Sequence, residues 1–100
     1  MRIALVCAAA IVAAAPLAVS AQERKPGRDL AASCAMCHGT DGRGAVGYEP
    51  LAGMAKADLV RKFTEFRSGV KPATVMHQIS KGYTDPQIQL IAEYFSAQKK

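Results

Sequence analysis

Cys34-Ala35-Met36-Cys37-His38 is the stretch whose reading decides the fold, and it runs on into Gly39-Thr40-Asp41-Gly42-Arg43-Gly44. Two thiols three positions apart with an imidazole directly after the second form the C-x-x-C-H arrangement, in which each residue type has a task in covalent haem attachment. The thiols of Cys34 and Cys37 add to the haem vinyl groups, and His38 is thereby delivered to the iron as an axial ligand. The expected cofactor is one covalently bound haem c.

Other chemistries fit these residues less well. A structural zinc site takes four protein ligands, whereas residues 22–100 offer two Cys and two His, with His38 adjacent to Cys37. A redox dithiol is expected beside a βαβ pattern, and no convincing strand is legible. A disulfide closing so short a loop constrains the unfolded chain only modestly and leaves the glycine-rich segment after it without a purpose.

Upstream of the motif, Met1-Arg2 is followed by an uncharged run from Ile3 to Val19, rich in Ala, Val, Leu and Ile and broken by Pro16. This reads as a secretory signal peptide over residues 1–21, cleaved after Ala21, where Val19-Ser20-Ala21 offers small residues. The run falls short of the ~20 residues of a membrane span, although an uncleaved anchor shares its hydropathy. Too few apolar residues precede Cys7 for a lipoprotein leader. The expectation is therefore a periplasmic protein with no membrane span in its mature form and one domain over residues 22–100. Such a domain is too small to rely on its apolar core alone, and a covalent cofactor supplies the missing staple.

Charge narrows the partners. The whole chain carries 13 Lys and Arg against 8 Asp and Glu; without Arg2 the balance is 12 − 8, or +4. The positive residues are dispersed, with no basic block to track a phosphate backbone, so nucleic-acid binding is disfavoured. A dispersed positive face suits encounter with an acidic redox protein, and Lys71 and Lys81 are the candidate docking residues.

The rest of the chain reads as helical. A polar terminus from Gln22 to Pro26 gives way to a first helix from Gly27 into Cys34, with Asp29 favourably placed against the helix dipole. Four glycines and Pro50 between positions 39 and 50 exclude regular structure and indicate a compact loop. A second helix is expected from Ala57 to Ser68, with Leu59, Phe63 and Phe66 on one face and Gly69 as its stop. A short helix follows from Thr74 to Ser80. Thr84-Asp85-Pro86-Gln87 is a capping signal, and Ile88, Ile91, Ala92 and Phe95 then recur at i, i+3, i+4 and i+7. The fold expected is all-α: three main helices, one short one, and a glycine-rich loop wrapped around the haem.

The second axial ligand has four candidates. Met36 lies inside the attachment loop and points away, and Met54 follows the loop too soon to reach the other haem face. Met76 lies beyond the second helix, which carries the chain around the haem, and it is the favoured ligand. Its neighbour His77 is the rival, because bis-imidazole ligation would lower the potential that His/Met ligation raises.

The run from Cys34 to Gly44 resembles the haem-binding start of the small bacterial class I cytochromes c. Thr74-Val75-Met76-His77-Gln78-Ile79-Ser80-Lys81-Gly82-Tyr83-Thr84-Asp85 resembles, within that class, the cytochrome subunit of flavocytochrome c sulfide dehydrogenase. The resemblance implies the class I cytochrome c fold with its first helix packed across its last, Leu30 meeting Tyr94 or Phe95. It also implies Met76 as distal ligand and a flavoprotein partner that oxidises sulfide and passes single electrons to the haem. Relatives commonly read Pro-x-Leu-Ala-Gly after the loop, the Pro carbonyl accepting from the proximal His. Here Glu49-Pro50-Leu51-Ala52-Gly53 moves the Pro by one, so either Glu49 or Pro50 supplies that carbonyl. Two functions follow: a non-catalytic electron carrier with closed His38/Met76 ligation, or a haem-based sensor or haem enzyme with a displaceable distal ligand. No Ser/His/Asp set, paired carboxylates or phosphate-binding loop assigns catalytic roles to side chains.

Overall fold

The computed structural model describes residues 25–100 together with Ala10, Val12 and Ala13. Apart from those three positions, the expected leader, its cleavage point after Ala21 and the segment from Gln22 to Arg24 lie outside the described residues. No described helix is long and apolar enough to cross a membrane.

Helix α1 spans Pro26–Ala31. Pro26 occupies the first turn, where its missing N–H costs nothing, and Asp29 N–H donates to the Lys25 carbonyl at 3.0 Å. The chain tightens into a 3-10 turn, Ala32–Cys34, and resumes as α2, Ala35–His38, ending at Gly39 with φ 83°. The first helical stretch therefore passes Cys34 and ends one turn later than the sequence expectation. Ala35 and Met36 are good helix formers, and nothing before Gly39 stops them.

Helix α3, Lys56–Ser68, ends at Gly69 in the left-handed region, as the glycine stop implied. Helix α4, Val75–Ser80, is the short one. Helix α5, Asp85–Ser96, begins with the full capping box: the Thr84 side chain accepts from Gln87 N–H, and the Gln87 side chain accepts from Thr84 N–H. Arg67 at the end of α3 pairs with Asp85 at the start of α5 at 2.7 Å. Among the described residues an isolated bridge, Ala45 to Tyr48, takes the place of any strand.

Helix α5 is the spine. Ile88, Ile91, Ala92 and Phe95 are all buried, and with Ala31, Leu59 and Phe63 they form the core. Each large side chain so buried contributes roughly 1.5–3 kcal/mol. Helices α1 and α3 both pack against α5, with Leu30 and Tyr94 against the same core, so the expected packing of the first helix on the last is present. The packing is close because Gly27 has no side chain: a Cβ there would stand 2.6 Å from the Leu90 carbonyl oxygen.

The glycine-rich loop rests on the far end of α5. Gly42 has φ 73°, and a Cβ on it would strike the Phe95 ring at 2.6 Å. Its carbonyl accepts from both Leu51 N–H (2.7 Å) and Ala52 N–H (2.9 Å), which closes the loop on itself. Tyr94 O–H donates to Asp41 Oδ1 at 2.6 Å and latches the loop to the helix. That bond, followed by partial burial, raises the phenol pKa above its ordinary value of 10.0. A raised phenol pKa stabilises the fold fully below the unfolded value and less as pH rises through the folded one. Tyr94→Phe should lower the unfolding free energy by about 1 kcal/mol at neutral pH. It should also flatten the loss of stability above pH 10 in urea titrations; an unchanged alkaline slope would show the latch to be idle.

Candidate functional site

A cavity of about 840 Å3 opens between the end of α2, the glycine-rich loop, α3 and α4. The motif supplies one wall, with Cys34, Cys37 and His38 all lining it. The loop contributes Tyr48, Glu49 and Leu51; α3 contributes Leu59, Lys62, Phe63 and Phe66; α4 contributes Val75, Met76 and Ile79. Most of this lining is apolar, as expected for a site that takes a large flat cofactor out of water.

Cys34 and Cys37 are both free thiols. Cys34 packs against the core, and burial pushes its thiol pKa above the ordinary value, keeping the sulfur protonated. The His38 ring stands 6.1 Å from the Tyr48 ring, edge to face. His38 Nδ1–H donates to the Glu49 carbonyl at 2.6 Å. A carbonyl only accepts, so this bond assigns the proton to Nδ1 and leaves the Nε2 lone pair free to bind a metal. Of the two carbonyls left open by the sequence, Glu49 is the one used.

The candidate distal ligands separate clearly. Met76 lines the cavity, and its backbone is anchored by Ser80, a fully buried residue whose hydroxyl donates to the Met76 carbonyl at 2.5 Å. His77 does not line the cavity; its Nδ1–H donates to the Phe66 carbonyl at 2.8 Å, tying α4 to the end of α3. Met54 packs against the apolar core. Met36 stands at the rim, 89% exposed.

Three further residues join the site that the sequence reading did not single out. Tyr83 O–H lies 3.1 Å from Ser33 Oγ, and its ring meets Phe63 edge on at 6.1 Å, joining the turn after α4 to the helix that carries Cys34. Lys62 Nζ donates to Glu49 Oε1 at 2.7 Å, and this bond holds the Glu49 carboxyl below the usual carboxylate range. The signal for Lys62 was a charge set among Leu59, Phe63 and Phe66 on one helix face. A tyrosine within a Lys81-Gly82-Tyr83 turn gave a weaker signal for Tyr83, and Ser33 gave none.

The donor set fits a covalently held haem: two thiols and an imidazole with a free Nε2 enter one largely apolar cavity, and a thioether enters the same cavity from α4. Among the described residues no cluster of three or more His, Cys, Asp or Glu could hold a bare metal ion instead.

Comparison with known proteins gives a consistent picture. The family model for cytochrome c matches residues 25–99. The chain is 39% identical over 82 residues to the cytochrome subunit of sulfide dehydrogenase from Chlorobaculum tepidum, covering 82% of this chain and 74% of that protein. It is 37% identical over 71 residues to the thiosulfate dehydrogenase electron acceptor of Thiomonas intermedia, covering 69% of this chain and 33% of that protein. Among solved structures, the cytochrome c4 of Acidithiobacillus ferrooxidans superposes with a TM-score of 0.63 at 37% identity, over 65% of this chain and 38% of that one. The chain thus spans about a third of the length of the last two.

Proposed function

The chain belongs to the cytochrome c family, and from that premise we propose how its residues serve the haem and which partner it meets. It is a monohaem electron carrier with covalently bound haem c, and it plays no catalytic part itself. When bound, the haem supplies reversible one-electron oxidation and reduction at iron.

In the reading we favour, Cys34 and Cys37 form the thioether bonds, His38 Nε2 is the proximal ligand and Met76 Sδ the distal one. One observation carries it: the cavity that receives the motif also receives Met76, while His77 is engaged by the Phe66 carbonyl. His38 and Met76 would both hold the haem iron from this one cavity and leave substrate no route to it, which favours electron transfer over the sensor or enzyme reading. Leu59, Phe63 and Phe66 exclude water, and Glu49 fixes the His38 tautomer. Exclusion of water and the strength of proximal donation both set the potential.

The partner is a redox protein. The 39% identity to a sulfide dehydrogenase cytochrome subunit supports a flavoprotein that oxidises sulfide and delivers electrons singly to the haem. Exposed Met36, Tyr48 and Val75 at the cavity rim, with Lys71 over the Phe66 ring at 5.1 Å and Lys81 beside the cavity-lining Gly82, form the docking face for it. The location is the periplasm, reached with a signal over residues 1–21 that is removed after Ala21.

Met76→Ala should abolish the weak charge-transfer band of the ferric protein, lower the reduction potential and let the reduced protein bind carbon monoxide rapidly, whereas His77→Phe should leave the spectrum unaltered. Retention of the band in Met76→Ala contradicts Met76 as ligand. Rapid, tight carbon monoxide binding by the unmutated protein at neutral pH favours the sensor reading instead. Native purification should yield a co-eluting flavin-containing subunit; a chain that elutes alone is a free carrier rather than a bound subunit.

A further inference from the structure

Glu49 is held at both ends. Its backbone carbonyl accepts from His38 Nδ1–H at 2.6 Å, and its carboxylate accepts from Lys62 Nζ at 2.7 Å. Lys62 sits on α3 three residues after Leu59 and four before Phe66, on the face that lines the cavity. A lysine is out of pattern on that apolar stripe. Only 21% of its side chain is exposed, so most of its methylene stem is packed, and its ammonium is engaged by the Glu49 carboxylate. Pro50 narrows the Glu49 backbone further, because a residue before proline is held to extended conformations. The peptide plane that carries the Glu49 carbonyl is thereby restrained from the chain side by Pro50 and from α3 by Lys62.

We propose that Lys62 is a positioning residue for the proximal ligand: its ion pair with Glu49 keeps the carbonyl on His38 Nδ1–H and so sets how strongly the imidazole donates to iron. This rests on His38 being that ligand. A carbonyl on Nδ1–H makes the ring a more basic ligand, which favours ferric iron and lowers the potential. Loss of the restraint weakens the bond and raises the potential.

Charge alone gives a different pattern, which makes the proposal testable. Removing the Lys62 cation lowers the potential and removing the Glu49 anion raises it, so the two effects oppose one another in the double variant Lys62→Met/Glu49→Gln, whose net charge equals that of the unmutated protein. The positioning effect survives in that variant, because both partners of the restraint are gone while the Glu49 carbonyl and Pro50 remain.

The experiment uses the reduced, diamagnetic holoprotein, with NMR exchange of the His38 Nδ1 proton and the reduction potential as readouts. The double variant should exchange that proton about threefold faster or more, the size set by a partly exposed ion pair, and its potential should rise. Lys62→Arg, which keeps the cation, should exchange at close to the unmutated rate. Haem present with both exchange and potential unchanged in the double variant overturns the proposal alone. Absence of covalent haem from the unmutated protein overturns the underlying reading with it, and absorbance reveals this before either readout is taken.

Discussion

The spacing of Cys34, Cys37 and His38 constrains everything around it. Positions i, i+3 and i+4 share one face of a helical turn, so both thiols and the imidazole emerge together from this helical stretch into one cavity. That helix must then stop at once, which Gly39 accomplishes, and the chain must fold back to give the imidazole a hydrogen-bond acceptor, which Glu49 supplies at 2.6 Å. The loop that makes this return carries its own support. Gly42 lies on Phe95 and collects two N–H groups at its carbonyl, and Asp41 accepts from Tyr94. Helix α5 thus serves at once as the core of the domain and as the platform for the loop that orients His38.

What was legible in the sequence was whatever local chemistry decides. The capping box at Thr84 and Gln87 begins α5, and all four residues of its apolar stripe are buried. Gly69 ends α3 where a left-handed residue is needed. Met76 lies on α4, beyond α3, as its distance along the chain implied. Other features depend on contacts between distant residues, which no local pattern encodes. The choice between Glu49 and Pro50 required the folded path of the loop. His77 could be set apart from Met76 only once α4 was seen to hydrogen-bond to the end of α3. The first helical stretch continues past Cys34 through α2 because no stop signal stands before Gly39. The pairing of Ser33 with Tyr83 spans fifty positions and left no trace in either neighbourhood.

The same placement of residues accounts for carriage of electrons rather than catalysis. Apolar side chains of α3 and α4 wall much of the cavity, and its polar lining includes an imidazole whose tautomer is set, a carboxylate engaged by Lys62, a tyrosine engaged by Ser33 and the amide of Gln78. None of these is a free acid or base aimed at a substrate.

The central claim is the covalent union of this chain with one haem through Cys34 and Cys37. Mass spectrometry of the denatured protein purified from its native host tests it most directly. The account predicts a chain heavier by one haem group that survives acid and organic solvent, with the added mass on the peptide containing both cysteines. A chain at its bare polypeptide mass, or one with those two cysteines joined in a disulfide, would contradict it.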